Sequence, residues 1–424
     1  MASSGLWEQA KPWMAKRSGH AVNGGLEGRR ERQARGHRQP RLAPEARQLS
    51  DAPGRNPDSE LTVIKYLGSK RLLLDLIGDA VAQIAPGPTV LDLFSGTSRV
   101  GHALKRRGFR VVANDHNAYA HTLARCYVEA DRDDVEHDAL QLIDEFNRLP
   151  GKPGYFTETF CERSRFFQPK NGARVDAIRE SIAVKGLRPD LEAVLLVSLM
   201  EAADRVDSTT GVQMAYLKQW APRACNDLEL RMPDVLSRAE AGRGSALCLD
   251  ALDAARRTPA DVAYLDPPYN QHSYLGNYHV WESLVRWDKP DVYGIACKRA
   301  DCRERRSVFN SRPRFDTAMQ NLLDAIQAPV VVVSFSNEGW LAREALEAML
   351  AGLFGGRAHV ATLATDYRRY VGAQIGIHNP QGQKVGTVSH LRNTEYLFIA
   401  ADRPLAAAMG DLAAAGRTIS PADA

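Results

Sequence analysis

The 424-residue sequence lacks any long apolar segment of the kind that spans a membrane. No run of about 18 apolar residues occurs, and no apolar stretch with a small-residue cleavage site lies near the amino terminus. We therefore expect a cytoplasmic protein without membrane contact. The proportions of 44% hydrophobic and 25% charged residues are typical of a globular chain with a sizeable core.

Cysteine is also scarce, with six residues in the chain, and none of them form a Cys-x-x-Cys pair. This scatter is typical of reduced thiols and argues against a disulfide framework or a zinc cage. His279 and Glu282 have helical spacing, but one His-x-x-Glu marks the polar face of a helix more often than a metal site. The sequence predicts no metal.

Neither sign of charge is in large excess, because the net charge is only +4. Residues 1–60 contain eleven Lys or Arg and seven Asp or Glu, an excess equal to that whole net charge. Since phosphate affinity needs clustered cations, any nucleic-acid surface must be a local patch. Residues 1–60 have no periodic apolar positions and predict a disordered basic tail, or alternatively a weak phosphate-binding arm.

Strand and helix signals alternate from residue 89 onward. An apolar run at 89–93, a turn at Ser95-Gly96-Thr97, a helix at 100–107 and a strand at 109–113 make a βαβ unit. Residues 131–245 show mostly helical patterns, for example at 174–183 and 191–203. Further strands are predicted at 246–249, 262–265, 330–333, 359–363 and 396–400. The predicted fold is α/β and Rossmann-like, with a helical insertion.

These signals divide the chain into five parts. The predicted parts are the basic tail (1–60), a cofactor-binding part of the α/β domain (61–130), the helical insertion (131–245), a catalytic part of the α/β domain (246–403) and a flexible Ala-rich tail (404–424).

The first βαβ unit has the features of a nucleoside site. Asp92 ends a strand, Gly96 permits a tight turn, and Asp115 has the spacing of an acid that binds ribose hydroxyls. The full Gly-x-Gly-x-x-Gly of a pyrophosphate site is absent, which disfavours a nicotinamide-binding unit without excluding it. S-adenosylmethionine, which has no phosphate and two cationic groups, suits this loop better. Asp250 is either a partner for the adenine of that cofactor or an exposed loop acid.

The strongest signal is Asp266-Pro267-Pro268-Tyr269, directly after the apolar strand at 262–265. Two prolines end the strand ladder and fix the backbone, so that the Asp266 carboxylate and the Pro267 carbonyl become rigid acceptors. Two acceptors that hold an amino group localise its lone pair and align it for methyl transfer. The ring of Tyr269 can stack on a flipped base. We predict that these four residues are catalytic.

Several segments together resemble the Dam-like class of adenine-specific DNA methyltransferases, in particular type II modification enzymes with Asp-Pro-Pro-Tyr-Asn. The resemblance covers roughly residues 60–400. Its motifs are Lys65-Tyr66-Leu67-Gly68-Ser69-Lys70, Leu91-Asp92-Leu93-Phe94-Ser95-Gly96, Asn114-Asp115, Asp266 to Asn270, Asn277-Tyr278-His279 and Ser334 to Gly339. Ser98-Arg99 departs from the family, in which smaller residues are commoner in the cofactor loop.

The resemblance implies a Rossmann-like S-adenosylmethionine-dependent methyltransferase that modifies the exocyclic amino group of adenine in double-stranded DNA. A cognate restriction endonuclease is an implied partner, and the insertion is an implied target-recognition element. Adenine in RNA, cytosine in DNA, and a binding module with an inactive site stay as alternatives. The predicted cofactor-binding residues are Tyr66, Lys70, Asp92, Phe94, Gly96, Asp115, Asp250 and Asp266.

The predicted DNA contacts lie in the densest cationic stretch, which follows the catalytic motif; a solvated loop is the alternative. The residues are Lys298, Arg299, Arg303, Arg305 and Arg306, with Arg312 and Arg314 beyond them. Such a stretch can bind phosphates but cannot read sequence. Base readout is predicted for the insertion, where side chains suited to base edges occur at Arg163, Arg165, Gln168, Lys170 and Asn171; which of them read bases stays open.

Overall fold

The structure, a computed structural model, describes residues 63–68, 70–368, 392–405 and 419–421. The predicted basic tail at 1–60 lies outside the described residues. All described residues belong to one unit of the chain. No helix among them is long and apolar enough to cross a membrane.

The described part of the chain contains ten strands. They are β1 (Thr89–Asp92), β2 (Arg110–Asn114), β3 (Ser245–Leu247), β4 (Val262–Leu265), β5 (Val292–Tyr293), β6 (Lys298–Arg299), β7 (Val330–Ser336), β8 (His359–Arg368), β9 (Arg392–Ala401) and β10 (Ile419–Pro421). Eight of them form one sheet in the order β10-β8-β9-β7-β4-β1-β2-β3, and β5 and β6 form a separate antiparallel hairpin. Neighbours from β3 to β7 pair in parallel. The largely parallel sheet confirms the predicted α/β class.

Two strands of this sheet are longer than their apolar segments predict. β8 and β9 pair antiparallel from His359 opposite Ala401 to Arg368 opposite Arg392. Backbone hydrogen bonds continue the ladder past the apolar residues, so hydrophobicity alone underestimates its length. β10 pairs with β8 inside the segment 404–424, for which the sequence predicts a flexible tail. The rest of that segment beyond residue 405 lies outside the described residues.

The described helices lie before β1 and between the strands up to β8. In chain order they are α1 (Leu74–Ile84), α2 (Arg99–Arg106), α3 (Ala118–Ala124), α4 (Arg132–Arg148), α5 (Tyr155–Thr157), α6 (Pro169–Val184), α7 (Pro189–Arg205), α8 (Ala251–Arg257), α9 (Tyr274–Asn277), α10 (His279–Arg286), α11 (Arg312–Ala325), α12 (Arg343–Ala351) and α13 (Leu353–Gly356). The helices predicted at 174–183 and 191–203 are α6 and α7.

Helices cover both faces of the sheet. Val90 and Val332 face α1 and α2, whereas their neighbours Leu91 and Val331 face α8, α11 and α12. β7 is buried along its whole length, as expected for a strand that is covered on both faces. The sheet is therefore a rigid support for the loops at its edge.

The chain between β2 and β3 builds a second core. Helices α3 to α7 pack there around Phe156, Phe160 and Phe166, without a strand between residues 115 and 244, all of which the structure describes. Tyr278 and Trp281, which come after the catalytic motif, are buried in the same core. The helical insertion thus packs directly against the chain that follows Asp266.

Asn114 connects the loops at the carboxyl ends of three parallel strands. Its side-chain amide donates to the backbone oxygens of Leu93 and Leu249, at 3.2 Å each. Its Oδ1 accepts the N–H of Leu249, and its backbone oxygen accepts the N–H of Ser95. Asn114 has no exposed surface, and its bond to Leu93 is fully buried. The position of the loop after β1 depends on them.

We predict that Asn114→Ala lowers the free energy of unfolding by about 2 kcal/mol, because it leaves buried backbone groups unsatisfied. Urea denaturation measures the change. Gln320→Ala is the control, since the amide of Gln320 bonds Asp324 at the surface. Equal stability of the two variants would contradict this role for Asn114.

Candidate active site

A cleft with an empty volume of about 680 Å³, part of it open solvent, lies where the parallel strands end. We call it the strand-end cleft. Predicted site residues that line it are Tyr66, Lys70, Asp92, Phe94, Gly96, Asp115, Asp266 and Pro268. Its wall also includes Gly68, Ser95, Arg99, His116, Tyr264, Tyr274 and Ser307. Segments from both sides of the insertion therefore meet in one site.

Three carboxylates stand at the ends of three neighbouring strands. Asp92 is the last residue of β1, Asp115 directly follows β2, and Asp266 directly follows β4. Because these strands are parallel and adjacent, their carboxyl ends bring the side chains to one edge of the sheet. The edge is consequently acidic.

Asp92 is the most deeply buried of the three, with 1% of its surface exposed. Burial raises the pKa of Asp92 to about 8; a hydrogen bond with Ser95 opposes the shift, and the charges of Asp266 and Asp115 add to it. Its Oδ1 atom is buried and has no hydrogen-bond partner in the described part of the chain. Buried acceptors are normally satisfied, so this atom is suited to a donor or a cation that enters the cleft.

Asp266 is held by a buried lysine. Its Oδ1 lies 3.1 Å from the Nζ of Lys70, which is also 3.3 Å from the Oε2 of Glu395. Burial alone would lower the pKa of Lys70, but Asp266 and Glu395 raise it well above the ordinary value. Burial raises the pKa of Asp266 to about 6, although Lys70 opposes the shift. At neutral pH the aspartate is thus an ionised acceptor with a fixed position.

Asp115 fixes the loop after β1. Its Oδ2 accepts the N–H of Gly96 at 3.1 Å, and its Oδ1 accepts the N–H of Asn117 at 2.9 Å. Gly96 has a φ of +51°, and a Cβ there would lie 3.4 Å from the hydroxyl of Tyr66. The positive φ favours glycine at this position, whereas the 3.4 Å distance is an ordinary van der Waals contact.

Ser98-Arg99, where the sequence departs from the resembled family, begins α2. Ser98 has a φ of 60°, is fully buried, and places its Oγ 3.0 Å from the Oγ of Ser95. Arg99 lines the strand-end cleft. The left-handed backbone at Ser98 accommodates Ser98 and Arg99 in place of smaller residues. The loop from Ser95 to Thr97 still lines the cleft.

Tyr66 lies in a group of stacked tyrosines. Its ring stacks on Tyr278 at 4.6 Å and on Tyr274 at 5.2 Å between centroids. Its hydroxyl is 3.3 Å from that of Tyr119, which is fully buried. The orientation of the Tyr66 ring at the cleft is therefore set on three sides.

The predicted catalytic motif, Asp266 to Tyr269, leaves the sheet as a turn that packing and hydrogen bonds support. Pro267 is buried, Pro268 lines the cleft, and Tyr269 packs edge-to-face on Phe335 at 5.4 Å. Asn310 donates to the backbone oxygen of Asn270 at 2.8 Å and so supports the end of the turn. Tyr269 itself is not among the residues that line the cleft.

One predicted cofactor residue lies apart from the cleft. The exposed Asp250 begins α8, where its Oδ1 accepts the N–H of Leu252 at 2.9 Å.

Glu395 and Tyr274 were not identified from the sequence as residues of the site. Glu395 stands opposite Ser336 in the β7–β9 ladder, a pairing that only the folded sheet creates. Tyr274 could have been predicted from the sequence, because it follows the predicted catalytic motif by a few residues.

These residues fit the predicted cofactor. A carboxylate-rich wall with a partnerless buried Asp92 oxygen suits a cationic ligand, and Asp115 can accept bonds from hydroxyl groups. Tyr66 and Phe94 offer apolar surface for a heterocyclic ring. No group of three or more His, Cys, Asp or Glu side chains in the described ranges could hold a metal ion.

The cationic stretch is only partly available to a ligand. Arg299 is 1% exposed, and its guanidinium bonds Asp288 at 2.7 and 2.8 Å and Asp301 at 3.1 Å. The guanidinium of Arg299, a predicted DNA contact, thus has its donors directed to carboxylates inside the protein. Arg305 bonds the fully buried Glu282 at 2.8 Å, which also ties it to the fold.

The other cations of this stretch face outward. Arg303 stacks on Tyr293 at 3.9 Å and is exposed, as are Arg306 and the two arginines at the start of α11. Lys298 is half-buried. Ser307, which directly follows Arg306, lines the cleft.

The five residues of the insertion with side chains suited to base edges differ in their exposure and in their contacts. Asn171 is 1% exposed, and its amide bonds the backbone of Ala224, Asn226 and Leu228, so its donors and acceptor are used inside the protein. Gln168 contacts Cys225, and Lys170 pairs with Asp227 at 2.6 Å on the surface. Arg165 stacks on Trp220 at 4.6 Å, and Arg163 is exposed.

The His279–Glu282 pair is a structural element. His279 is buried, with its Nε2 at 2.9 Å from the backbone oxygen of Gln213. Glu282 accepts the N–H of Tyr119 at 3.1 Å in addition to its bond with Arg305. Both side chains therefore connect α10 to neighbouring segments.

Comparison with known proteins finds similarity to DNA-modifying methyltransferases. The type II methyltransferase M.FokI of Planomicrobium okeanokoites is 28% identical over 309 residues, which are 68% of this chain and 46% of that protein. The modification methylase StsI of Streptococcus sanguinis is 28% identical over 303 residues, with the same two shares. The chain thus spans about half the length of these relatives. The type II methyltransferase M.NlaIII of Neisseria lactamica is 27% identical over 320 residues, 72% of this chain and 92% of that protein.

The profile of one family matches residues 66–349, well over half of the chain. This stretch contains all the residues that the sequence predicts for the site, from Tyr66 to Arg306. The match agrees with the resemblance in the sequence motifs, with the parallel sheet and with the cleft at its edge. The chain belongs to the family of D12 class N6 adenine-specific DNA methyltransferases.

Proposed function

We propose that the protein transfers a methyl group from S-adenosylmethionine to the exocyclic amino group of adenine within a short sequence of double-stranded DNA. The observation that carries this proposal is the position of Asp266. It stands at a strand end, next to two prolines, in the same cleft as all the other predicted cofactor residues except Asp250.

The methyl donor would be held by residues from both halves of the α/β domain. Asp115 suits its ribose hydroxyls, Asp92 suits its cationic part, and Tyr66 and Phe94 suit its adenine ring. When bound, S-adenosylmethionine supplies an electrophilic methyl group on a sulfonium. The role of the protein is then to exclude water and to orient the acceptor.

The target amine is a weak nucleophile because its lone pair is delocalised into the ring. Asp266 and the Pro267 carbonyl can accept the two amino hydrogens and so localise that lone pair. The ion pair with Lys70 prevents Asp266 from turning away from the cleft. Tyr269 would stack on a base turned out of the duplex.

DNA would be bound by the outward-facing cations near the cleft. Lys298, Arg303 and Arg306 suit phosphate contacts, and Arg312 and Arg314 extend the same surface. Arg163 and Arg165 of the insertion stay as candidates for sequence readout. The relatives named as modification methylases support a role in restriction–modification with a cognate endonuclease.

Incubation of the purified chain with duplex DNA and radiolabelled S-adenosylmethionine should place the label on adenine N6. We expect Asp266→Asn to lower kcat by a factor on the order of 10²–10³, because the amide cannot replace a charged acceptor. Asp261→Asn is the matched control. Asp261 directly precedes β4, at the end opposite to Asp266, and accepts the N–H of Thr89 in β1 at 2.9 Å. This control should keep full activity.

The identity of the labelled nucleoside decides the substrate. Label on cytosine, or in RNA and not in DNA, would contradict the proposed substrate. An Asp266→Asn variant as active as Asp261→Asn would contradict the mechanism.

The rate should depend on pH through Asp266. At saturating donor, kcat should fall as the pH drops below about 6, because protonation removes the acceptor. Lys70→Met should move this decline to higher pH, since the lysine lowers the pKa of Asp266. The surface variant Lys289→Met should leave it in place, and identical profiles for all three proteins would refute the assignment.

Donor binding should release a proton from Asp92. With a pKa raised to about 8, Asp92 is mostly protonated at pH 7, and a cationic ligand favours the carboxylate. Calorimetry at pH 7 in buffers of different ionisation enthalpy should therefore detect release of close to one proton. Asp92→Asn should abolish this release. A binding enthalpy that is the same in every buffer would contradict the prediction for the unmodified protein.

A further inference from the structure

One loop of the insertion reaches the chain segments that form the cleft. It comprises residues 207–213, directly after α7, and we call it the bridging loop. At its start, Asp207 lies 3.4 Å from the Nζ of Lys65, and Asp204 at the end of α7 lies 2.9 Å from the same atom. The Oδ2 of Asp204 also accepts the backbone N–H of Lys65 at 3.1 Å. Lys65 directly precedes Tyr66.

The far end of the bridging loop is attached to the chain after the catalytic motif. The backbone N–H of Gln213 donates to the oxygen of Asn277 at 2.8 Å, and its Oε1 accepts the N–H of Val280 at 2.9 Å. Its backbone oxygen is 2.9 Å from the Nε2 of His279. Gln213 is 3% exposed, so these bonds are shielded from water.

The two attachments flank one stacked pair of rings. Tyr66 follows Lys65, and Tyr278 lies between Asn277 and His279; their rings are 4.6 Å apart. Tyr66 lines the cleft, where a ring of the methyl donor would lie. The bridging loop therefore holds both partners of the stack from the side of the insertion.

The burial of two carboxylates explains why the ion pairs with Lys65 form at this point of the insertion. The side chains of Asp204 and Asp207 are only 11% and 3% exposed, whereas Lys65 is 37% exposed. Asp207 also bonds the Nε of Arg223 at 2.8 Å. Buried carboxylates need cations, so Lys65 is drawn to this point of the insertion.

We propose that Asp204 and Asp207 are positioning residues that act through Lys65 to hold Tyr66 in the cleft. By this route the insertion, and not only the α/β domain, sets the affinity for the methyl donor. The identity of that donor rests on the proposed function.

The experiment is calorimetric titration of the full chain with S-adenosylmethionine in the absence of DNA. Lys65→Met should weaken binding about tenfold, while Lys65→Arg, which keeps the cation, should restore most of the affinity. Lys185→Met is the control, because Lys185 forms a 2.9 Å ion pair with Glu145 in the insertion, and it should bind as the unmodified protein does. Thermal denaturation checks that every variant is folded.

A double-mutant cycle separates positioning from general weakening of the fold. In a Tyr66→Ala background, Lys65→Met should cause little further loss, because the residue through which Lys65 acts is gone. Undiminished affinity of Lys65→Met, or an equal loss with and without the Tyr66 ring, would overturn the proposal. An unmodified chain that binds no S-adenosylmethionine would refute the proposed function and this inference together.

Discussion

The ion pair between Lys70 and Asp266 is the interaction on which the cleft depends. Three strand ends bring carboxylates together, and like charges in a buried site repel one another. A single buried ammonium group, shared with Glu395, compensates part of this charge and fixes Asp266, the acid that we propose to face the target amine. Asp92 keeps a raised pKa in the same site, so the cleft contains a fixed acceptor beside a group ready to ionise.

Much of this site could be predicted from the sequence, because parallel strands place their carboxyl ends at one edge. Recognising the strands before Asp92, Asp115 and Asp266 was enough to bring these acids together. Glu395 could not be predicted in the same way. Its place depends on the insertion of β9 between β7 and β8, which is a long-range pairing without a local signal.

Charged and polar side chains were harder to assign than strands. Arg299 and Asn171 have the chemistry of DNA-contacting residues, but both are buried and bond the protein itself. Residue type shows what a side chain can donate, and only the fold shows where its donors are directed. The helical character of the insertion was predictable, whereas its shared core with Tyr278 and Trp281 was not, since those residues are distant in sequence.

That shared core has a consequence for how specificity can change in this protein. A recognition element built as a free-standing module could be exchanged between relatives by joining the chain at its two ends. Here a graft would also have to reproduce the aromatic surface that meets α10 and the acids that meet Lys65. Under the proposed role of the insertion in target recognition, new target sequences are therefore more accessible through substitutions on its outer face than through replacement of the whole element.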